Sequence, residues 1–171
     1  MSDAQHLHIV VMGVTGTGKS TVAQALAAER DLVMAEGDDY HPRANIEKMS
    51  SGIALDDDDR APWLEALARW TREQHDSGHH TVLTCSALRR PYRDTLRSGV
   101  PESTFFVHLA GSAEVLAERI EARDHFMPAS LLDSQFETLE DLEPDEDGKV
   151  VDVDRPLEEV VEETLAIVRR L

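Results

Sequence analysis

Eight consecutive residues, Gly13-Val14-Thr15-Gly16-Thr17-Gly18-Lys19-Ser20, carry the clearest chemistry in this sequence. Their spacing is G-x-x-x-x-G-K-[ST], the pattern of a phosphate-binding loop. Glycines let the backbone turn tightly, so that successive N–H groups point at one phosphate. Lys19 can bridge β- and γ-phosphate oxygens, and the Ser20 hydroxyl is a hard oxygen ligand suited to Mg²⁺. This chemistry needs a strand before the loop and a helix after it, because the helix N-terminus adds partial positive charge. Both flanks agree. Leu7–Met12 is a short apolar, β-branched run that reads as a buried strand. Thr21–Glu29 is rich in helix formers with apolar residues at helical spacing. The expected ATP contacts are Gly13, Thr15, Gly16, Thr17, Gly18, Lys19, Ser20 and Thr21, with Lys19 also catalytic and Ser20 on the metal.

Two further groups fit a phosphoryl transfer. Asp31–Ala35 reads as a second strand, ending at Glu36-Gly37-Asp38. Ligands of open α/β sheets sit beyond the carboxyl ends of strands, which places Asp38 beside the loop. Arg119 and Arg123 are one helical turn apart and share a face, just before an interrupted segment that reads as a lid over about 124–138. Cations delivered by a lid stabilise charge on a transferring phosphoryl group, and one arginine so placed is worth roughly 10³ or more in rate. Closure also keeps water from taking the phosphoryl group.

The remaining elements must hold these groups in place. The chain has 171 residues, 41% hydrophobic and 30% charged, which suits one globular domain. No apolar run is long enough to span a membrane, and the first residues lack the pattern of a signal peptide. A single cysteine, Cys85, rules out an internal disulfide and fits a reducing cytoplasm. Net charge is −17, which argues against nucleic acid as a partner. Positive charge must therefore be concentrated locally, and outside the loop it gathers at Arg43–Lys48, Arg60, Arg89–Arg97 and Arg119–Arg123. The acidic run Asp56–Asp59 reads as a solvated surface that starts a helix, rather than as a metal cluster.

Further strands are expected at His80–Cys85, Thr104–Leu109 and Lys149–Val153. Helices are expected near Pro42–Met49, Arg60–His75, Arg89–Arg97, Ser112–Arg123, Leu131–Leu139 and Pro156–Leu171. Alternating strands and helices predict an α/β fold, a parallel sheet of about five strands with helices on both faces. Neither a guanine-reading Asn-Lys-x-Asp segment nor an apolar strand ending in Asp-Glu is present. Together with the lid arginines, this favours a small-molecule kinase over a GTPase or an ATPase motor.

The sequence resembles the gluconokinases, within the shikimate-kinase-like and nucleoside-monophosphate-kinase-like group of P-loop NTPases. The resemblance spans almost the whole chain. It rests on Gly13–Ser20, on Gly37-Asp38-Asp39-Tyr40-His41-Pro42 with Asn45-Ile46-Glu47-Lys48-Met49, and on Gly52-Ile53-Ala54-Leu55 with Asp57–Arg60 and Pro62-Trp63-Leu64. It continues in Cys85-Ser86-Ala87-Leu88-Arg89-Arg90 with Tyr92-Arg93-Asp94, and in His125-Phe126-Met127-Pro128 with Leu131-Leu132, Ser134-Gln135-Phe136 and Leu139-Glu140. Arg89 replaces a more usual lysine and Ala54 a common proline.

The resemblance implies ATP-dependent phosphorylation of D-gluconate at its terminal hydroxyl, giving 6-phosphogluconate for the pentose phosphate pathway. It implies ATP and Mg²⁺ as cofactors, a cytoplasmic enzyme with no membrane or nucleic-acid partner, and a homodimer as the commonest assembly of relatives. A primary alcohol needs a carboxylate to orient it and accept its proton, and Asp38 is the candidate. Asp38 could instead reach Mg²⁺ through water, and the two roles can overlap. Arg60 and Arg90 suit a clamp on the substrate carboxylate, since a guanidinium grips it with two parallel hydrogen bonds. Lys48, Ser86, Arg93, His125 and Gln135 are further candidates for clamp or hydroxyl contacts. Arg123 is taken as catalytic, and with Arg119 as an ATP contact. His41 is expected to fix its loop, Trp63 and Trp70 to pack the core, Cys85 to be a buried strand residue, and Arg155-Pro156 to lie at the adenine edge. Another acceptor (shikimate, a nucleoside monophosphate or another sugar acid) and an ATP-binding regulator without turnover are the alternatives.

Overall fold

The computed structural model describes residues 6–122 and 129–171. Five parallel strands, β1 (His8–Met12), β2 (Val33–Glu36), β3 (Thr81–Thr84), β4 (Thr104–Ala110) and β5 (Gly148–Asp152), form one sheet in the order β2-β3-β1-β4-β5. The phosphate-loop strand β1 is central. Its Val10 faces Leu83 on one side and Phe106 on the other. Full burial of β1 on both faces accounts for its unbroken apolar run, as parallel strands covered by helices require.

Side chains alternate between two cores. Ile9 and Val11 join Val82, Val107 and Leu109 on one face. There they pack on Val22 and Leu26 of α1 (Lys19–Arg30), Leu116 of α5 (Ala113–Ala122), and Val160 and Val168 of α7 (Leu157–Arg169). Val10, Met12, Leu83 and Phe106 point the other way, onto Trp63, Leu64 and Leu67 of α3 (Asp57–Asp76) and Tyr92 and Leu96 of α4 (Arg90–Arg97). Two further helices, α2 (Arg43–Ser50) and α6 (Ala129–Thr138), bring Met49, Ser134 and Gln135 to the cleft beside the phosphate loop. No helix among the described residues is long and apolar enough to cross a membrane.

The expected elements are all present, with ends displaced by a few residues. The largest shift is at α3, which starts at Asp57 rather than Arg60. Asp56 is its N-cap: its side chain accepts from the Asp59 N–H, and the Asp59 side chain accepts from the Asp56 N–H. That capping box, with three carboxylates in the first turn, is why the acidic run starts a helix. Among the described residues no group of three or more His, Cys, Asp or Glu side chains is arranged to hold a metal. The first part of the expected lid lies outside the described residues, and its second part is α6.

Candidate active site

The loop between β1 and α1 is shaped by close approach. A Cβ on Gly13 would come within 2.5 Å of the Leu109 carbonyl oxygen. Thr17 is buried and ties the loop to itself through Oγ1 to the Val14 carbonyl, 3.0 Å. Gly18 precedes α1 in a left-handed conformation. The Lys19 Nζ donates to the carbonyls of Gly13 and Val14, at 3.0 and 3.1 Å. Burial lowers its pKa, while the nearby carboxylates Asp38 and Glu36 pull it back up. Ser20 and Thr21 follow Lys19 in the first turn of α1, and both are exposed.

Sequence reasoning passed over Glu36. Its Oε2 accepts from Ser20 Oγ at 3.0 Å and from Thr84 Oγ1 at 2.6 Å. It therefore holds the hydroxyl that would meet the metal. The signal was present, since Glu36 is the last residue of β2, two before Asp38. Ser20 and the anionic rim beside it fit a hard divalent ion escorting a nucleotide.

Asp38 follows in a 3₁₀ turn, Gly37–Tyr40. Only glycine fits at position 37, because a Cβ there would lie 2.1 Å from the Thr84 carbonyl oxygen. The turn is pinned by Trp63 Nε1, which donates to the Gly37 carbonyl at 2.7 Å. The Asp38 side chain stands 89% exposed in an open cleft. Its pKa is held below the ordinary carboxylate value by His41 first and then by Lys19, which together outweigh the opposing desolvation from the surrounding cleft walls.

The cleft brings Thr15, Lys19, Asp38, Arg60, Ser86 and Gln135 together, and His41, Trp63, Leu88 and Ser134 complete much of its wall. Arg60 is held by Tyr92, whose hydroxyl accepts from Nη1 at 3.0 Å and whose ring lies 5.1 Å from the guanidinium carbon. Gln135, from α6, spans to the loop: its Oε1 accepts from the Thr15 N–H at 2.7 Å, and its Nε2 donates to Thr15 Oγ1 at 3.2 Å. Arg119 reaches the Arg155 carbonyl with Nη2 at 2.8 Å. Arg123 and His125 lie outside the described residues. Cys85 is buried, and burial pushes its thiol up to about 12, so it is no nucleophile.

Three expected substrate contacts sit elsewhere. Lys48 pairs with Asp59 at 2.7 Å, bracing α2 against α3. Arg90 does not line the cleft and is held by Glu143, by Asp145 at 2.7 Å and by Asp94 at 3.1 Å. Arg93 is fully buried. Its guanidinium bonds Glu146 at 2.7 and 3.0 Å and the carbonyls of Ala87, Glu140 and Asp141 at 3.0–3.1 Å. Every donor face of that side chain is turned into the protein, which removes it from contact with a ligand. It holds the carbonyl of Ala87, a residue with φ of 46° between the cleft residues Ser86 and Leu88.

Residues 9–142 match the AAA domain family. The gluconokinase of Gluconobacter oxydans (strain 621H) is 53% identical over 146 residues, covering 85% of this chain and 80% of the relative. The thermoresistant gluconokinase of Escherichia coli (strain K12) is 44% identical over 174 residues, covering 99% of each. The chain belongs to the gluconokinase family. A crystal structure of a gluconokinase from Sinorhizobium meliloti 1021 has the same fold, with TM-score 0.88, 50% identity, and coverage of 97% of this chain and 93% of that one. The five-stranded parallel sheet and phosphate loop described above thus belong to a chain of the gluconokinase family, and the cleft lies between its Lys19 and Arg60.

Proposed function

We infer that the chain transfers the γ-phosphoryl group of ATP to the terminal hydroxyl of D-gluconate, giving 6-phospho-D-gluconate and ADP. The observation that carries this reading is one cleft holding a phosphate-loop lysine, a carboxylate at a strand end and a guanidinium, in a chain of the gluconokinase family. The acceptor oxygen attacks the γ-phosphorus as the bond to the β–γ bridging oxygen breaks. The hydroxyl proton passes to Asp38, which its depressed pKa keeps ionised at neutral pH. Lys19 follows the charge from the β–γ bridge onto the departing ADP. Arg60 is the clamp for the gluconate carboxylate, and Ser86 and Gln135 are hydroxyl partners along the sugar chain. Mg²⁺ would be held by Ser20, where it neutralises phosphate charge. Arg119 and Arg123 belong to the nucleotide side, and His125 to the acceptor side, in this reading.

The same reading takes residues 1–171 as one kinase domain in the cytoplasm, acting as a homodimer; sedimentation of the purified chain tests the assembly. The activity is tested by ADP release with Mg-ATP and a panel of D-gluconate, other sugar acids, shikimate and nucleoside monophosphates. Selective turnover of gluconate, with phosphate on the terminal carbon, is expected. Faster turnover of another acceptor would overturn the assignment of Arg60 and Ser86. ATP binding without turnover on any acceptor would leave a regulator.

A further inference from the structure

His41 lies in the loop after Asp38, and its surroundings decide which of its ring nitrogens carries the proton. Its side chain is 3% exposed and stacks on Trp63, with ring centroids 4.0 Å apart and planes 19° from parallel. The Nδ1 atom is 3.2 Å from Asn45 Nδ2. Asn45 is itself buried, and the same Nδ2 donates to the backbone carbonyl of Asp59 at 2.9 Å. A carbonyl oxygen only accepts, so the group facing it must be the NH₂ and not the amide oxygen. The second N–H of that NH₂ then points at His41 Nδ1, which must be a bare acceptor. The ring proton is left on Nε2, and Nε2 faces Asp38 Oδ1 at 3.6 Å.

We propose that Asn45 locks His41 as its Nε2–H tautomer, and that His41 is a positioning residue for Asp38. The chain of contacts runs Asp59 C=O, Asn45 amide, His41 imidazole, Asp38 carboxylate, with one donor and one acceptor at each junction. It gives one oxygen of Asp38 a fixed N–H and leaves the other for the hydroxyl of the acceptor. A distance of 3.6 Å is beyond ordinary hydrogen-bond length, and such contacts tighten once substrate is bound. The stack on Trp63 fixes the ring plane, and the bond from Trp63 to the Gly37 carbonyl ties that plane to the turn carrying Asp38. The capping box of α3 belongs to the same construction, because it sets where the Asp59 carbonyl lies. The proposal rests on Asp38 being the acceptor's base.

The tautomer is read directly from long-range ¹H–¹⁵N correlations of His41 in ¹⁵N-labelled protein without ligands. A protonated Nε2 and a bare Nδ1 are expected, and protonation at Nδ1 would overturn the proposal. Because no acceptor is present, that failure is separate from failure of the gluconate reading. Kinetics supply the second arm. His41→Phe keeps the stack and removes the N–H, so kcat on gluconate should fall about tenfold to a hundredfold with the KM for ATP unchanged. His41→Gln restores an N–H and should recover part of kcat, which a merely structural role would not do. A kcat for His41→Phe within about twofold of wild type would sink the idea. Should that variant fail to fold, Asn45→Asp replaces it. Its carboxylate can only accept, so Nδ1 should take up a proton, which the same ¹H–¹⁵N correlations would show, and an Nδ1 still bare in that variant would overturn the proposal.

Discussion

Arg60 and Arg90 have the same chemistry and were equal candidates for the carboxylate clamp; their neighbours separate them. Arg60 leans on Tyr92 at the cleft, with a neutral hydroxyl as its partner, so its charge is available to an anion. Arg90 is already shared among Asp94, Glu143 and Asp145. Arg60→Ala should raise the gluconate KM about tenfold to a hundredfold and leave the ATP KM near its wild-type value. Arg90→Ala should move neither. Steady-state kinetics with each substrate varied in turn would measure both, and a rise in the gluconate KM for Arg90→Ala alone would reverse the assignment. Lys19 and Asp38 were legible in the sequence because local rules fix them: eight residues define the loop, and a strand end defines the carboxylate. The partners Glu143 and Asp145 of Arg90 and Glu146 of Arg93 lie about fifty positions later in the chain, which no local pattern reports.

At the scale of elements, the buried Arg93–Glu146 pair joins α4 to the acidic loop between α6 and β5. Glu146 also accepts from Arg97 at 2.6 Å and from the Glu143 N–H at 2.8 Å. Burial alone would raise the Glu146 pKa, yet Arg93 and these other donors hold it below its ordinary value. The acidic loop therefore has a structural task, and the sequence reading saw only its charge. Arg93→Ala would strand a buried carboxylate and free the Ala87 carbonyl, so unfolding free energy should drop by about 3–5 kcal/mol. Urea titration would measure it, and a loss below about 1 kcal/mol would show that water satisfies Glu146 after the cut. The strands were the most legible elements, since β-branched runs between turns leave few alternatives. The acidic run Asp56–Asp59 does initiate α3 as its charge suggests, but the capping spacing from Asp56 to Asp59 sets the first helical residue at Asp57, three before the expected Arg60.

For the molecule as a whole, five parallel strands put all the proposed chemistry at one pole of the sheet, and the opposite pole holds a cluster of histidines. His8, at the start of β1, is 1% exposed. Its Nδ1 meets Thr81 Oγ1 at 2.8 Å and its Nε2 meets His75 Nδ1 at 3.0 Å. His6 lies against His75 and His80, with ring centroids 5.3 and 5.2 Å apart, and Arg30 adds positive charge at His80. Burial first, then the neighbouring histidines, lower the His8 pKa to about 4. The unfolded chain then binds a proton near pH 6.5 that the folded chain refuses until about pH 4, so stability is full above 6.5 and is lost as pH falls through that window. This group alone should remove about 2 kcal/mol between pH 7 and pH 5, before most carboxylates titrate. His8→Gln should flatten that part of the stability profile, and urea titrations at the two pH values would compare the slopes. Parallel profiles would mean that the pole takes up its proton without opening. A flattened slope would tie acid sensitivity to His8, at the end of β1 farthest from the phosphate loop, where stability can be tuned without touching Lys19 or Asp38.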